Sequence, residues 1–81
     1  MDRSIYTALN SMNILREIDD KKGLATSLNN LGLIAQTRGD FREAEWLYRQ
    51  CLTIAREIGD QQGEATFLSN LGVIKKLTRQ K

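Results

Sequence analysis

Two asparagines, Asn30 and Asn70, are the side chains whose type and spacing in this sequence best suit binding chemistry. Each stands in the tripeptide Asn-Leu-Gly, and the two copies lie 40 residues apart. An Asn amide donates and accepts at once, so it can pair with the N–H and C=O of one residue in an extended peptide. Two such side chains could hold a peptide main chain at two points. The alternative is a solvated polar residue, or an Asn that bridges to a neighbouring helix.

Groups for catalysis are scarce. The sequence has no His, and its six glycines occur singly at expected helix ends and packing sites, so none forms a phosphate-binding loop. No paired carboxylates face a predicted cleft, and no cluster of Cys or carboxylates has the spacing of metal ligands. We therefore predict a protein that is not an enzyme and that needs no cofactor or metal.

Composition and charge also exclude several partners. The 81 residues carry a net charge of +2 with both signs mixed, which favours neither nucleic acid nor a membrane surface. No apolar run is long enough for a membrane span, and the first residues do not resemble a signal peptide. The single cysteine, Cys51, fits a reducing compartment, so we expect a cytoplasmic protein, and its position predicts a core residue.

The elements that must position these residues follow from an internal repeat. At an offset of 40, residues 14–34 match residues 54–74 at 13 of 21 positions. Apolar residues recur at helical spacing, and Gly39-Asp40 and Gly59-Asp60 are typical of helix boundaries, whereas Asp19 stands where a third such glycine would be. We predict an all-α fold of four antiparallel helices, at about 3–18, 21–38, 41–58 and 61–78.

The spacing within the repeat resembles the tetratricopeptide repeat. The family pattern W-x2-L-G-x2-Y, then A-x3-F, corresponds here to Leu28-x2-Leu31-Gly32-x2-Ala35 and Ala44-x3-Tyr48, in a long variant with a period of 40 residues. The resemblance implies a solenoid of helical hairpins that binds proteins. It makes 1–81 a single domain, with a half repeat at 1–20, a full repeat at 21–60 and a half repeat at 61–81.

In this family the first helix of each pair lines a concave groove. The resemblance therefore implies that a peptide or partner segment binds two stripes of residues, which are Thr26, Asn30, Leu33, Thr37, Thr66, Asn70 and Val73. We expect Gly32 to be a packing site, where a missing side chain lets two helices approach.

A second hypothesis is self-assembly, because both terminal half repeats lack a partner helix. The last helix would offer Leu68 and Leu71 to a second copy, giving a homodimer or a longer stack. Trp46 and Tyr6 lie at equivalent places on otherwise polar stripes. They are either oligomer contacts or, for Trp46, a ring that lies flat on the stems of Arg42 and Arg49.

Overall fold

The structure is a computed structural model that describes residues 3–79, with the side chains of residues 15–79. This part of the chain consists of three helices, which are α1 (Arg3–Arg38), α2 (Phe41–Ile58) and α3 (Gln61–Arg79). α2 lies between the other two and packs against both of them. The prediction of an all-α fold is confirmed, and residues 3–79 contain no strand.

The prediction of four helices is wrong, because the first two are one continuous helix. α1 runs through Asp19 and Asp20, where a break was expected. The other two reversals each use a glycine with positive φ, +85° at Gly39 and +71° at Gly59. Asp19 occupies the position equivalent to Gly59, and an Asp adopts that left-handed conformation at a steric cost that glycine does not carry. Without the glycine, the helix continues.

The two turns that do form close in the same way. At the end of α1, the N–H of Asp40 donates to the carbonyl of Ala35 at 2.8 Å, and at the end of α2 the N–H of Asp60 donates to Ala55 at 2.8 Å. Such bonds satisfy carbonyls that the helix end would otherwise leave unpaired. Each turn is only two residues long, so successive helices are held antiparallel.

The core is built around α2, which has a strongly amphipathic sequence. One face of α2 is buried between the other helices, and its buried members are Ala44, Leu47, Tyr48, Cys51, Leu52 and Ala55. α1 contributes Ala25 and Ala35, and α3 contributes Phe67, Leu71 and Ile74. Small residues on α1 let α2 approach closely. A Cβ built at Gly32 would lie 2.6 Å from Cε1 of Tyr48, so the prediction of a packing role for Gly32 is confirmed.

α1 is much longer than the helix it packs on. Its 36 residues span roughly 54 Å, whereas the 18 residues of α2 span roughly 27 Å. Only the second half of α1 therefore lies alongside α2, and the first half continues beyond the hairpin. This gives the molecule its dimensions of 65 × 19 × 13 Å.

Candidate protein-interaction groove

A groove runs between α1 and α3 beside the end of α2. It contains a cavity of about 300 Å³. The floor is apolar and comes from Ala25, Ala55 and Phe67, all of which are buried. The walls are polar, and their members are Lys22, Thr26 and Asn29 on α1 and Gln62 and Thr66 on α3.

Two of the predicted groove residues face each other across this cavity. Thr26 lines it from α1 and Thr66 lines it from α3, one repeat apart. The other five predicted residues lie outside the cavity. Leu33 and Val73 are exposed apolar side chains, and Asn30 and Thr37 are exposed polar ones. Asn70 is partly buried.

The two predicted asparagines have different environments. Nδ2 of Asn70 donates to Oδ1 of Asn29 at 2.8 Å, which links α3 to α1. Asn70 thus bridges to a neighbouring helix, one of the alternatives that the sequence left open. Asn30 is exposed to solvent. The bond uses one of the two amide hydrogens of Asn70, so the side chain retains the capacity to donate once more and to accept.

Asn29 is a groove residue that the sequence-based prediction missed. That prediction took two stripes of residues from the resemblance, and Asn29 belongs to neither of them. A different signal was present, because Lys22, Thr26 and Asn29 recur at spacings of four and three, which places them on one helical face. A polar residue of the groove need not recur in both copies of the repeat, since the helix of each copy lies beside a different set of helices.

The threonine hydroxyls of the groove donate within their own helices. Oγ1 of Thr26 donates to the carbonyl of Lys22 at 3.1 Å, and Oγ1 of Thr66 donates to that of Gln62 at 3.0 Å. Thr37 makes the equivalent bond to Leu33 at 2.9 Å. Because each hydroxyl hydrogen is used, the oxygen offers only its acceptor capacity to a ligand. The groove therefore suits a ligand that supplies N–H groups.

Charges around the groove are mixed in sign. Lys21 of α1 pairs with Glu57 of α2 at 3.3 Å, and Arg56 of α2 pairs with Glu64 of α3 at 3.1 Å. These pairs are solvent-exposed and contribute only about 0–1 kcal/mol each. They join neighbouring helices near the groove and leave it without a strong net field.

The buried thiol and phenol belong to the core. Sγ of Cys51 donates to the carbonyl of Ala25 at 3.2 Å, and the hydroxyl of Tyr48 donates to Oε1 of Gln36 at 3.0 Å. Burial raises the pKa of the Cys51 thiol to about 11, and burial likewise raises the pKa of Tyr48. A thiol that stays protonated at neutral pH is a poor nucleophile. The prediction that Cys51 is a core residue is confirmed.

The sequence matches a known protein family over nearly its whole length. The family model of the tetratricopeptide repeat matches residues 1–57 and matches again over residues 23–80. The chain belongs to the tetratricopeptide repeat family. The resemblance predicted from the spacing within the repeat is thus confirmed. No curated protein and no solved structure was found to match the chain.

Membership of the tetratricopeptide repeat family indicates a protein–protein interaction module. Such repeats are typically non-enzymatic. Within the described residues, no group of His, Cys, Asp and Glu is placed to hold a metal ion. No described helix is both long enough and apolar enough to cross a membrane.

The exposure of the residues predicted for self-association differs in part from expectation in this tetratricopeptide repeat chain. Leu68 is exposed, but Leu71 is buried in the core cluster, so it is not part of an uncovered face. Leu71 packs into the core against α2, whereas Leu68, about 60° away around α3, is 46% exposed. Trp46 is exposed on α2, and the side chain of Tyr6 lies outside the described residues.

Proposed function

We propose that the chain binds an extended segment of a partner protein in the groove between α1 and α3. The observation that supports this function is the placement of Thr26 and Thr66 on opposite walls of a cavity with an apolar floor. Specific binding sites commonly combine an apolar surface with a few polar groups that fix orientation. The family's role in protein–protein interaction agrees with a peptide ligand.

The hydrogen-bonding capacity of the walls matches a peptide main chain. The threonine oxygens accept, so they would pair with main-chain N–H groups. Asn29 is a wall residue whose amide hydrogens remain for the ligand's carbonyl groups, because its bond to Asn70 uses Oδ1. Main-chain contacts of this kind give affinity with little dependence on the ligand's sequence.

Side-chain preference would come from the surface beyond the cavity. Leu33 and Val73 are exposed at equivalent positions of α1 and α3. Asn30 lies one turn before Leu33 on the same stripe of α1. It is exposed to solvent, whereas the amide of Asn70 is bonded to Asn29. A ligand that extends from the cavity towards these residues would place apolar side chains against them. The mixed charges argue against a strongly acidic or basic ligand.

The test is selection from a random peptide library displayed on phage, using the whole chain as bait. Binding peptides are expected for the wild type, and Thr26→Val with Thr66→Val should weaken their binding about tenfold or more, since two lost hydrogen bonds contribute roughly 1 kcal/mol each. Thr53→Val is a matched control, because Thr53 is exposed on α2 and its hydroxyl also donates within its own helix, to Arg49 at 3.0 Å.

Two outcomes would contradict the proposal. One is a library that yields no binder for a folded wild-type chain. The other is a set of binders whose affinity falls as much with the Thr53 substitution as with the groove substitutions.

The lone buried cysteine agrees with action in a reducing compartment such as the cytoplasm.

A further inference from the structure

Two residues of α1 are exposed although their repeat equivalents on α3 are buried. The exposed fraction is 51% for Leu31 and 7% for Leu71, its equivalent 40 residues later. The same comparison gives 52% for Ile34 and 0% for Ile74. Since the residue types are identical within each pair, the difference must come from what covers each helix.

The cover on α3 is α2, which precedes it by one tight turn. The segment that precedes α1's second half in the same way is residues 3–18, and its sequence repeats that of α2 at Ile14, Arg16, Glu17 and Ile18. In the structure this segment belongs to α1, which continues without a break through Asp19 and Asp20. It therefore does not fold back over Leu31 and Ile34.

We propose that the face formed by Leu24, Leu31 and Ile34 is a self-association surface, covered by residues 3–18 of a second copy of the chain. All three side chains are exposed, and their spacings of seven and three residues place them on one side of the helix. The α3 residues equivalent to Leu31 and Ile34 are already covered by a helix of related sequence. Residues 3–18 of a second copy can lie alongside this face. The same residues of the chain itself cannot, because α1 is continuous.

The contact joins two different surfaces of the molecule. Ile18 lies roughly 120–140° around α1 from Leu24 and Leu31, at about 100° per residue. Each copy thus carries one covering segment, residues 3–18, and one face to be covered, formed by Leu24, Leu31 and Ile34. Two copies can exchange segments, or further copies can add head to tail. This inference is independent of the proposed peptide groove, because Leu24, Leu31 and Ile34 do not line that cavity.

The first experiment measures mass in solution by sedimentation equilibrium over a range of concentrations. The wild type should associate, and Leu31→Glu should weaken association at least tenfold, because it places a charge in an apolar contact. Leu33→Glu is the control, since Leu33 is also exposed on α1 but lies on a different side. A wild type that is monomeric at every concentration overturns the proposal, as does equal loss with both substitutions.

The second experiment restores the missing helix end. Asp19→Gly recreates the Gly-Asp pair that ends the other two helices, so residues 3–18 can fold back and cover their own chain. This variant should be a folded monomer by circular dichroism and sedimentation. Asp19→Ala keeps the helix continuous and should associate like the wild type. Association of the glycine variant with unchanged affinity would overturn the exchange of segments.

Discussion

The ring of Tyr48 lies directly against the backbone of Gly32. A Cβ at residue 32 would come within 2.6 Å of Cε1 and 2.9 Å of Cδ1 of that ring. Tyr48 is fully buried, and its hydroxyl is held by Gln36, so the ring has little freedom to withdraw. The separation of α1 and α2 at this point therefore depends on the absence of a side chain.

Gly32→Ala should destabilise the chain, although alanine favours helix. Forcing a methyl group into a packed core typically costs about 1–3 kcal/mol. Gly72→Ala is the matched control, because Gly72 is the repeat equivalent and a Cβ added there would meet no described atom within 4 Å. There the greater helix propensity of alanine should raise the free energy of unfolding by up to about 1 kcal/mol. Urea denaturation measures both, and two changes of the same sign would contradict this explanation.

Asp60→Ala should lower the free energy of unfolding by about 1 kcal/mol, the usual cost of losing a helix cap. Oδ1 of Asp60 accepts the N–H of Gly63 at 3.0 Å in the first turn of α3. Asp40 precedes α2 in the same way, but in the described structure its side chain makes no capping bond. Asp40→Ala should therefore cost less in the same thermal or urea denaturation series. Equal losses would show that the carboxylates act through charge at the helix N-terminus.

The bond between Asn29 and Asn70 should appear as an energetic coupling. We expect a double-mutant cycle with Asn29→Ala and Asn70→Ala to give about 0.5–1.5 kcal/mol, the net worth of a neutral hydrogen bond. Asn30→Ala in place of Asn29→Ala is the control and should give a coupling near zero. The measurement is the free energy of unfolding of the wild type and of the single and double variants.

The stability of the chain should fall as the solution becomes alkaline. Burial raises the pKa of the Cys51 thiol from an ordinary 9.0 to about 11. Between these two values the unfolded chain has lost a proton that the folded chain retains, so the free energy of unfolding decreases as pH rises and is unaffected below that window. Cys51→Ala should show a shallower decline in urea denaturation at alkaline pH. An equally steep decline in that variant would assign the effect to other groups, such as Tyr48.

The sequence predicted most of the helical architecture because its signals were local. Gly39 and Gly59 marked their turns through a conformation that other residues adopt at a cost, and the apolar spacing of α2 defined its buried face. The continuous α1 was missed because the prediction relied on comparison of the two copies of the repeat. The repeat implied a turn at Asp19. The turns that form use a glycine with positive φ, and the helix continues through Asp19, which is not a glycine.

The groove was predicted less completely than the helices. Thr26 and Thr66 belong to the two predicted stripes and line the cavity, whereas Asn29 also lines it but lies outside those stripes. The burial of Leu71 was also missed. It depends on which neighbour each side of α3 meets, and the sequence of α3 alone does not distinguish the side that meets α2 from the side that faces solvent.

The link between Asn29 and Asn70 also bears on the elasticity of the molecule. Neighbouring helices of the chain are joined by two-residue turns and apolar packing, whereas the hydrogen bond between Asn29 and Asn70, which joins α1 to α3 across the groove, is a neutral amide pair at 2.8 Å. Such a contact is worth only about twice the thermal energy, so it opens and closes readily. We therefore expect the spacing of the two walls to be compliant, so that the proposed groove could bind ligands of different width without disturbing the packing of α2.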